Sequence, residues 1–280
     1  MTGPIPLPLL HSFLFVPGNR PDRFAKALDS GADAIIIDLE DAVAAEQKAA
    51  ARDAVMQATF PSSSGPLVYL RINAADTPWF EEDMAVLRHP GIHGAMLPKA
   101  EHAAQIQRLD VGAKKVFRVI PIIETAAGLC NAQEIARAAG VERLAFGSID
   151  FQLDINCDGS ETALLYARSQ LVVVSRWAGI QAPIDGVTTL IGDVAQITQD
   201  ALHAKSLGLG GKLCIHPGQV GMVNQVWQPT AEEIDWAHKV SAAAEAAGGN
   251  VVAVDGKMID RPLLLKAQHI LARTHRPAWR

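Results

Sequence analysis

Eight short runs of apolar, largely β-branched residues recur along the first part of this chain, each followed by a helix-length, alanine-rich stretch. That alternation demands parallel strands, because only a crossover connection long enough for a helix brings the chain back to start a parallel neighbour. The candidate strands are Ser12–Val16, Asp33–Asp38, Leu67–Ile72, Ala95–Leu97, Val116–Ile123, Leu144–Phe146, Ile184–Val187 and Lys212–Ile215. The second has an unbroken core, Ala34-Ile-Ile-Ile37, as expected of a strand covered on both faces. Eight units in about 220 residues fit a closed (β/α)8 barrel, the α/β TIM-barrel architecture, in number and spacing. The rival is a doubly wound open sheet with a glycine-rich fingerprint after its first strand. Pro17-Gly18-Asn19-Arg20 is not G-x-G-x-x-G.

A helix is expected from about Pro21 to Ser30 behind the first strand. Beyond the eighth unit the pattern changes. Thr230 is a good N-cap for a helix reaching about Ala247, with Glu232 and Glu233 in its first turn and Gly248-Gly249 as its stop. A strand-like Val251–Val254, a turn at Asp255-Gly256 and a last helix from about Arg261 complete the chain. The expected division is a catalytic barrel over 1–225 and a C-terminal helical extension over 226–280, long enough to act as a lid or to enter a neighbouring subunit.

Composition narrows the function classes. The formal charge is −5, from 25 basic and 30 acidic residues, without the basic excess of a nucleic-acid binder. No apolar run approaches the roughly 20 residues of a membrane helix. The proline-rich start lacks the basic n-region of a signal peptide. Cys130, Cys157 and Cys214 are odd in number and far apart, which suits a reducing compartment. The expectation is a cytoplasmic metabolic enzyme acting on a small molecule, with neither nucleic acid nor membrane as partner.

In a (β/α)8 barrel, catalytic groups sit at the C-terminal ends of the strands. The residues closing the runs are strongly patterned: Asp38-Leu-Glu40-Asp41, Arg71-Ile-Asn73, Pro98-Lys99, Glu124-Thr125, Ser148-Ile-Asp150, Asp185 and His216-Pro217. So many acids around one rim need a cation among them, and Mg²⁺ usually takes one or two carboxylates plus water and substrate oxygens. Glu124 and Asp150, closing adjacent strands, are the candidate metal ligands. Taken singly, a strand-end acid is more often a helix cap or an ion-pair partner. Arg71 offers a permanently charged fork for a substrate carboxylate or enolate oxygen, or neutralises Asp38 or Glu40, or does both.

These residues resemble the HpcH/HpaI aldolase–citrate lyase β-subunit (CitE-like) family. The resemblance runs from Phe13-Leu-Phe-Val-Pro-Gly-Asn-Arg20 through Ile37-Asp-Leu-Glu-Asp-Ala-Val43, Leu70-Arg-Ile-Asn73, Leu97-Pro-Lys99, Pro121-Ile-Ile-Glu124, Gly147-Ser-Ile-Asp150, Ile184-Asp-Gly186 and Ile215-His-Pro217 to Asp255-Gly-Lys-Met-Ile-Asp-Arg-Pro262. Any one tripeptide is weak evidence, but the ordered set is specific. The resemblance implies a barrel carrying Mg²⁺ on Glu124 and Asp150, with Arg71 holding the 2-oxoacid or hydroxyacid part. It implies that Phe15, Arg20 and Lys26 grip a coenzyme A thioester. It also implies that Asp260 is delivered by the C-terminal segment to a neighbouring subunit, in a homotrimer or dimer of trimers. Ile149, bulky where many relatives carry a small or acidic residue, bears on substrate choice.

The expected reaction is cleavage or condensation of a 3-hydroxyacyl-CoA such as citramalyl-CoA or malyl-CoA, giving acetyl-CoA and a 2-oxoacid. Asp260 handles the proton at the acetyl methyl carbon, and Glu40 or Asp38 the hydroxyl proton or support of the metal shell. On the residues alone Asp260 reads rather as a helix cap before Arg261-Pro262, His216 as a loop-ordering group, and Lys99 as a Schiff-base candidate that a metal makes redundant. Three alternatives stay open: a citrate lyase β subunit acting on a citryl-acyl carrier protein, a class II aldolase with a histidine base, for which only His11 is available, and a non-catalytic barrel that binds CoA esters.

Overall fold

The computed structural model describes residues 10–61, 65–109, 117–246, 252–254 and 257–274. Eight parallel strands close into a barrel in chain order. They are β1 (Ser12–Pro17), β2 (Ala34–Asp38), β3 (Leu67–Arg71), β4 (Gly94–Leu97), β5 (Arg118–Ile123), β6 (Ala145–Phe146), β7 (Ile184–Asp185) and β8 (Gly211–Cys214). All eight expected strands are present and the open-sheet rival is excluded, since β1 pairs with both β2 and β8. Val116, the expected start of the fifth strand, lies outside the described residues.

Helices follow each strand: α1 (Phe24–Leu28), α2 (Lys48–Gln57), α3 (Phe80–Val86), α4 (Ala103–Gln107), α5 (Ala126–Cys130) and α6 (Ala132–Ala136), α7 (Ser148–Ile155) and α8 (Glu161–Ala178), α9 (Val194–Leu207), and α10 (Pro217–Trp227). The expected helix at Pro21–Ser30 is shorter than read, a 3-10 turn over Pro21–Arg23 running into α1. None of the described helices is long and apolar enough to cross a membrane.

The strand period of two sorts side chains to the two faces of the barrel wall. Phe13, Ala34, Ile36, Tyr69, Met96, Ile120, Ile122, Ala145, Ile184 and Leu213 point inward and form one cluster. Ile35 and Ile37 are equally buried, against the helices outside, so β2 is covered on both faces as its unbroken apolar run requires. Charge inside the wall is paired. Asp185 accepts from Arg168 Nε at 2.7 Å and from Lys212 Nζ at 3.1 Å, and those two cations hold its carboxyl below the usual range against the pull of burial.

The chain divides into two compact units, 1–224 and 225–280. In the second, α11 (Ala231–Ala246) and α12 (Arg261–Thr274) are joined through the antiparallel pair β9 (Val252–Val254) and β10 (Lys257–Ile259). Its core comprises Ala237, Val240, Ile259, Ala267 and Ile270. The expected turn at Asp255-Gly256, and Ala247 with its Gly248-Gly249 stop, lie outside the described residues, as does Val251.

Asp260 is exposed, and its Oδ1 accepts from Leu263 N at 3.1 Å, an N-cap of α12. Asp260→Ala is expected to cost about 1 kcal/mol of local helix stability, read as faster amide exchange in the first turn of α12, while Asp260→Asn keeps that turn protected. Identical exchange in the two variants contradicts the cap.

Candidate active site

Strand alternation and register place the functional side chains before any contact is measured. Ile36 and Tyr69 face inward, so Asp38 and Arg71, each two residues on, face inward at the C-terminal mouth. Their backbones are paired, as are those of Asp38 and Pro17. Glu124 lies two residues beyond Ile122, whose partner is Ala145, and this sets Gly147 beside Glu124. The mouth is therefore split. Asp38, Arg71 and Glu124 make a charged arc over β2, β3 and β5, while Phe15, Val187, Leu213 and Ile215 make a neutral arc over β7, β8 and β1. Both arcs line one cavity of about 890 Å³, together with Arg23, Lys26, Gly147, Ile149 and Asp150.

Arg71 is the hub of the charged arc. Its Nε and Nη2 donate to Asp38 Oδ1 and Oδ2, both at 2.7 Å, and its Nη1 lies 2.9 Å from Glu40 Oε2. The bidentate pair with Asp38 is well aligned, whereas the Glu40 contact is an ion pair without hydrogen-bond alignment. Burial works to strip the charge from Arg71. The carboxylates of Asp38, then Glu40 and Asp41, outweigh it and hold the guanidinium firmly protonated. The Phe15 ring lies 4.7 Å from the guanidinium carbon, which fixes its plane from the neutral side. Arg71 thus neutralises Asp38 and Glu40 and also lines the cavity.

Glu40 is clamped behind that hub. Its Oε1 accepts from Lys99 Nζ at 2.8 Å, and burial raises its carboxyl's proton affinity despite Arg71 and Lys99. The turn carrying it is pinned from beneath. Buried Lys48 donates to the carbonyls of Leu39 and Glu40, each at 2.8 Å, and Asn73 Nδ2 donates to Leu39 O at 3.1 Å.

Glu124 is 3% exposed. Its Oε1 accepts from the backbone N–H of Lys99 at 2.7 Å, and Lys99 holds φ +48°, a left-handed conformation costing about 1–2 kcal/mol in a residue with a Cβ. The other oxygen lies over Gly147, where a Cβ would come within 2.3 Å of it. Burial, then the Glu40 charge, push the Glu124 carboxyl up to about 8 against the Lys99 N–H, and Asp150 adds to the rise. Asp150 is therefore close enough for its charge to bear on Glu124.

Asp150 does not close a strand, as the sequence suggests. β6 ends at Phe146, and Asp150 sits in the first turn of α7, which begins directly after Gly147. It still lines the cavity. Lys26 also lines it, whereas Arg20 does not, being exposed and paired with Asp22 at 2.8 Å. Asp260 belongs to the other compact unit. His11 sits at the N-terminal end of β1, away from the mouth, with Nδ1 2.6 Å from Gly210 O. Lys48, the Lys99 backbone and Gly147 escape a reading of the sequence. Only the glycine just after a strand end offers a signal.

Two carboxyl groups facing one cavity, Glu124 buried and Asp150 half-buried, suit a hard cation with few protein ligands. Mg²⁺ usually takes one or two protein carboxylates and completes its shell with water and substrate oxygens, a set that Glu124 and Asp150 can supply. Glu124 must be deprotonated to act as a ligand. Burial pushes its carboxyl up to about 8, so apparent Mg²⁺ affinity is expected to weaken about tenfold per pH unit below 8 and to level off above it. Titration calorimetry from pH 6 to 9 checks this, and an affinity flat across that range contradicts it.

Comparison with known proteins places the chain within one family. Residues 11–217 match the HpcH/HpaI aldolase/citrate lyase family. A citrate lyase subunit beta-like protein of Deinococcus radiodurans is 38% identical over 95% of this chain and 98% of its own. The mitochondrial citramalyl-CoA lyase of Homo sapiens is 30% identical over 91% and 83%. CitE from Mycobacterium tuberculosis, solved in complex with magnesium, acetoacetate and coenzyme A, superposes with a TM-score of 0.84 at 33% identity, over 95% of this chain and 98% of that one.

Proposed function

The chain belongs to the HpcH/HpaI aldolase/citrate lyase family, and from that premise we propose that it is a Mg²⁺-dependent carbon–carbon lyase. Its substrate is a 3-hydroxyacyl-CoA of the citramalyl-CoA or malyl-CoA type, cleaved to, or condensed from, acetyl-CoA and a 2-oxoacid. The observation that carries this reading is that Glu124 and Asp150, near enough for one charge to bear on the other, line one cavity together with Arg71 and Asp38.

Glu124 and Asp150 hold the cation. When bound, Mg²⁺ supplies Lewis-acid polarisation of the hydroxyacid's oxygens and a template for them. Arg71 faces the developing oxyanion with a charge that Asp38 fixes in direction, so little reorganisation is needed as the bond breaks. Asp38, which lines the cavity, manages the hydroxyl proton, with Glu40, held behind it between Arg71 and Lys99, as the second candidate. Lys26 and Phe15 border the side of the cavity that receives the thioester, and Arg20, outside the lining but paired with Asp22, which belongs to it, is assigned to the phosphates of the carrier. Asp260 handles the proton at the acetyl carbon when the C-terminal unit of one subunit meets the site of another.

We also assign the protein to the cytoplasm, as a homotrimer or dimer of trimers. Its free cysteines support the first assignment. An exposed apolar stripe on α8, Tyr166, Val173 and Trp177, supports association with another subunit, and the number of subunits is taken from the family resemblance. A class II aldolase is disfavoured by His11, which sits at the end of β1 remote from the mouth.

The test is a spectrophotometric screen with Mg²⁺ against citramalyl-CoA, malyl-CoA and citryl-CoA. Turnover of at least one CoA ester, abolished by EDTA and restored by Mg²⁺, is the expected result. Cleavage at full rate in EDTA contradicts the metal's part. Cleavage of a citryl group only on an acyl carrier protein favours the citrate lyase β-subunit reading.

A further inference from the structure

We propose that Lys99 is a positioning residue, using its backbone to aim Glu124 and its ammonium to hold Glu40 apart from the cation, an inference that rests on the lyase reading of this site. Two contacts from one residue carry it. The Lys99 N–H donates to Glu124 Oε1 at 2.7 Å, and Nζ donates to Glu40 Oε1 at 2.8 Å. The N–H direction is fixed by the peptide plane, while φ decides where Cβ and the rest of the side chain go. A φ of +48° is what sends the ammonium to Glu40 while the N–H stays on Glu124.

The corner is rigid. The next residue's N–H donates to Ile122 O at 3.2 Å, and Gln105 Nε2 donates to Lys99 O at 3.3 Å. Gly128 lets its helix approach so closely that a Cβ there would meet Ala100 O at 2.5 Å. A non-glycine residue kept left-handed in a fixed corner points to a function for the conformation. Neither Lys99 nor Glu40 lines the cavity, so Lys99 acts through the two carboxylates, directly on Glu124 and by way of Glu40 on Arg71.

The two consequences of removing the ammonium have opposite signs, which makes the idea testable. Loss of a positive charge near Glu124 strengthens attraction for a divalent cation, whereas loss of the Glu40 clamp loosens the carboxylate that pairs with Arg71, the guanidinium facing the developing oxyanion. Lys99→Met is therefore expected to tighten Mg²⁺ or Mn²⁺ binding by about three- to tenfold in calorimetry while lowering kcat at least about tenfold. Lys99→Arg, keeping the charge, recovers most of both. Lys99→Gly keeps the N–H and relieves the backbone, so it reproduces the split even where the methionine variant folds poorly.

Affinity and kcat falling in parallel with Tm reduce Lys99 to a structural role and overturn the proposal. Unchanged affinity and kcat in both variants overturn it equally. A wild-type protein that binds no Mg²⁺ and cleaves no thioester refutes the lyase reading instead, and the two failures are distinguishable.

Discussion

Glu124→Gln is expected to abolish metal binding at micromolar Mg²⁺ and to lower turnover by at least about a thousandfold, while leaving the fold intact or more stable. The amide oxygen of glutamine can still accept the Lys99 N–H, so the side chain keeps its place. What is lost is the anionic donor. The stability half of the expectation follows from the direction of the titration. The Glu124 carboxyl sits at about 8 because burial and the Glu40 charge disfavour its ionised form. A group whose folded pKa lies above its unfolded value destabilises the folded state as pH rises between the two. A neutral isostere removes that penalty at pH 7 and above, and activity bought with stability is the pattern expected of a metal site. Calorimetric Mg²⁺ titration and thermal unfolding of the two proteins at pH 8 check both halves. Retained Mg²⁺ affinity in the variant removes Glu124 from the ligand set.

Gly147→Ala adds a single methyl group and is expected to cost at least about a hundredfold in kcat/KM. The added carbon lands 2.3 Å from Glu124 Oε2, 2.5 Å from its Cβ and 2.9 Å from Ile122 Cγ2. Glu124 is buried and anchored on its other oxygen, so the carboxylate must swing away, and a misplacement of about 1 Å at a reacting site costs on this order. Backbone strain plays no part, because φ at Gly147 is −86°. Gly192→Ala is the control, as a Cβ there meets nothing within 4 Å, and its kinetics should match the wild type. Full activity in Gly147→Ala shows that Glu124 can relocate freely and is not held as described.

Much of this arrangement is legible in the sequence because the barrel converts strand ends into neighbours. Asp38, Arg71 and Glu124 each close an apolar run, and closure of the sheet brings such ends to one rim whatever their separation in the chain. The unbroken apolar run of β2 likewise announces burial on both faces. Asp150 is misread as closing a strand because α7 starts directly after Gly147, and apolar patterning, which ends the strand correctly at Phe146, does not show that no loop separates the two.

The supporting residues are hidden for a different reason. Lys48 reaches back to carbonyls of the preceding turn, and Lys99 joins Glu40 to Glu124 through contacts 59 and 25 residues away. No local pattern encodes such partners. Asp260 illustrates a residue with two readings from one feature. Its place before Arg261-Pro262 makes it a cap, which it is, and that cap is compatible with the acid–base role proposed across a subunit boundary.

A crystal of the protein grown with Mn²⁺ in place of Mg²⁺, read by anomalous diffraction, tests the central claim most directly. The account predicts one ion in the cavity at the barrel mouth, with one carboxylate oxygen from Glu124 and one from Asp150 at about 2.1–2.2 Å. An ion bound elsewhere, or these two carboxylates turned away from a common point, contradicts it.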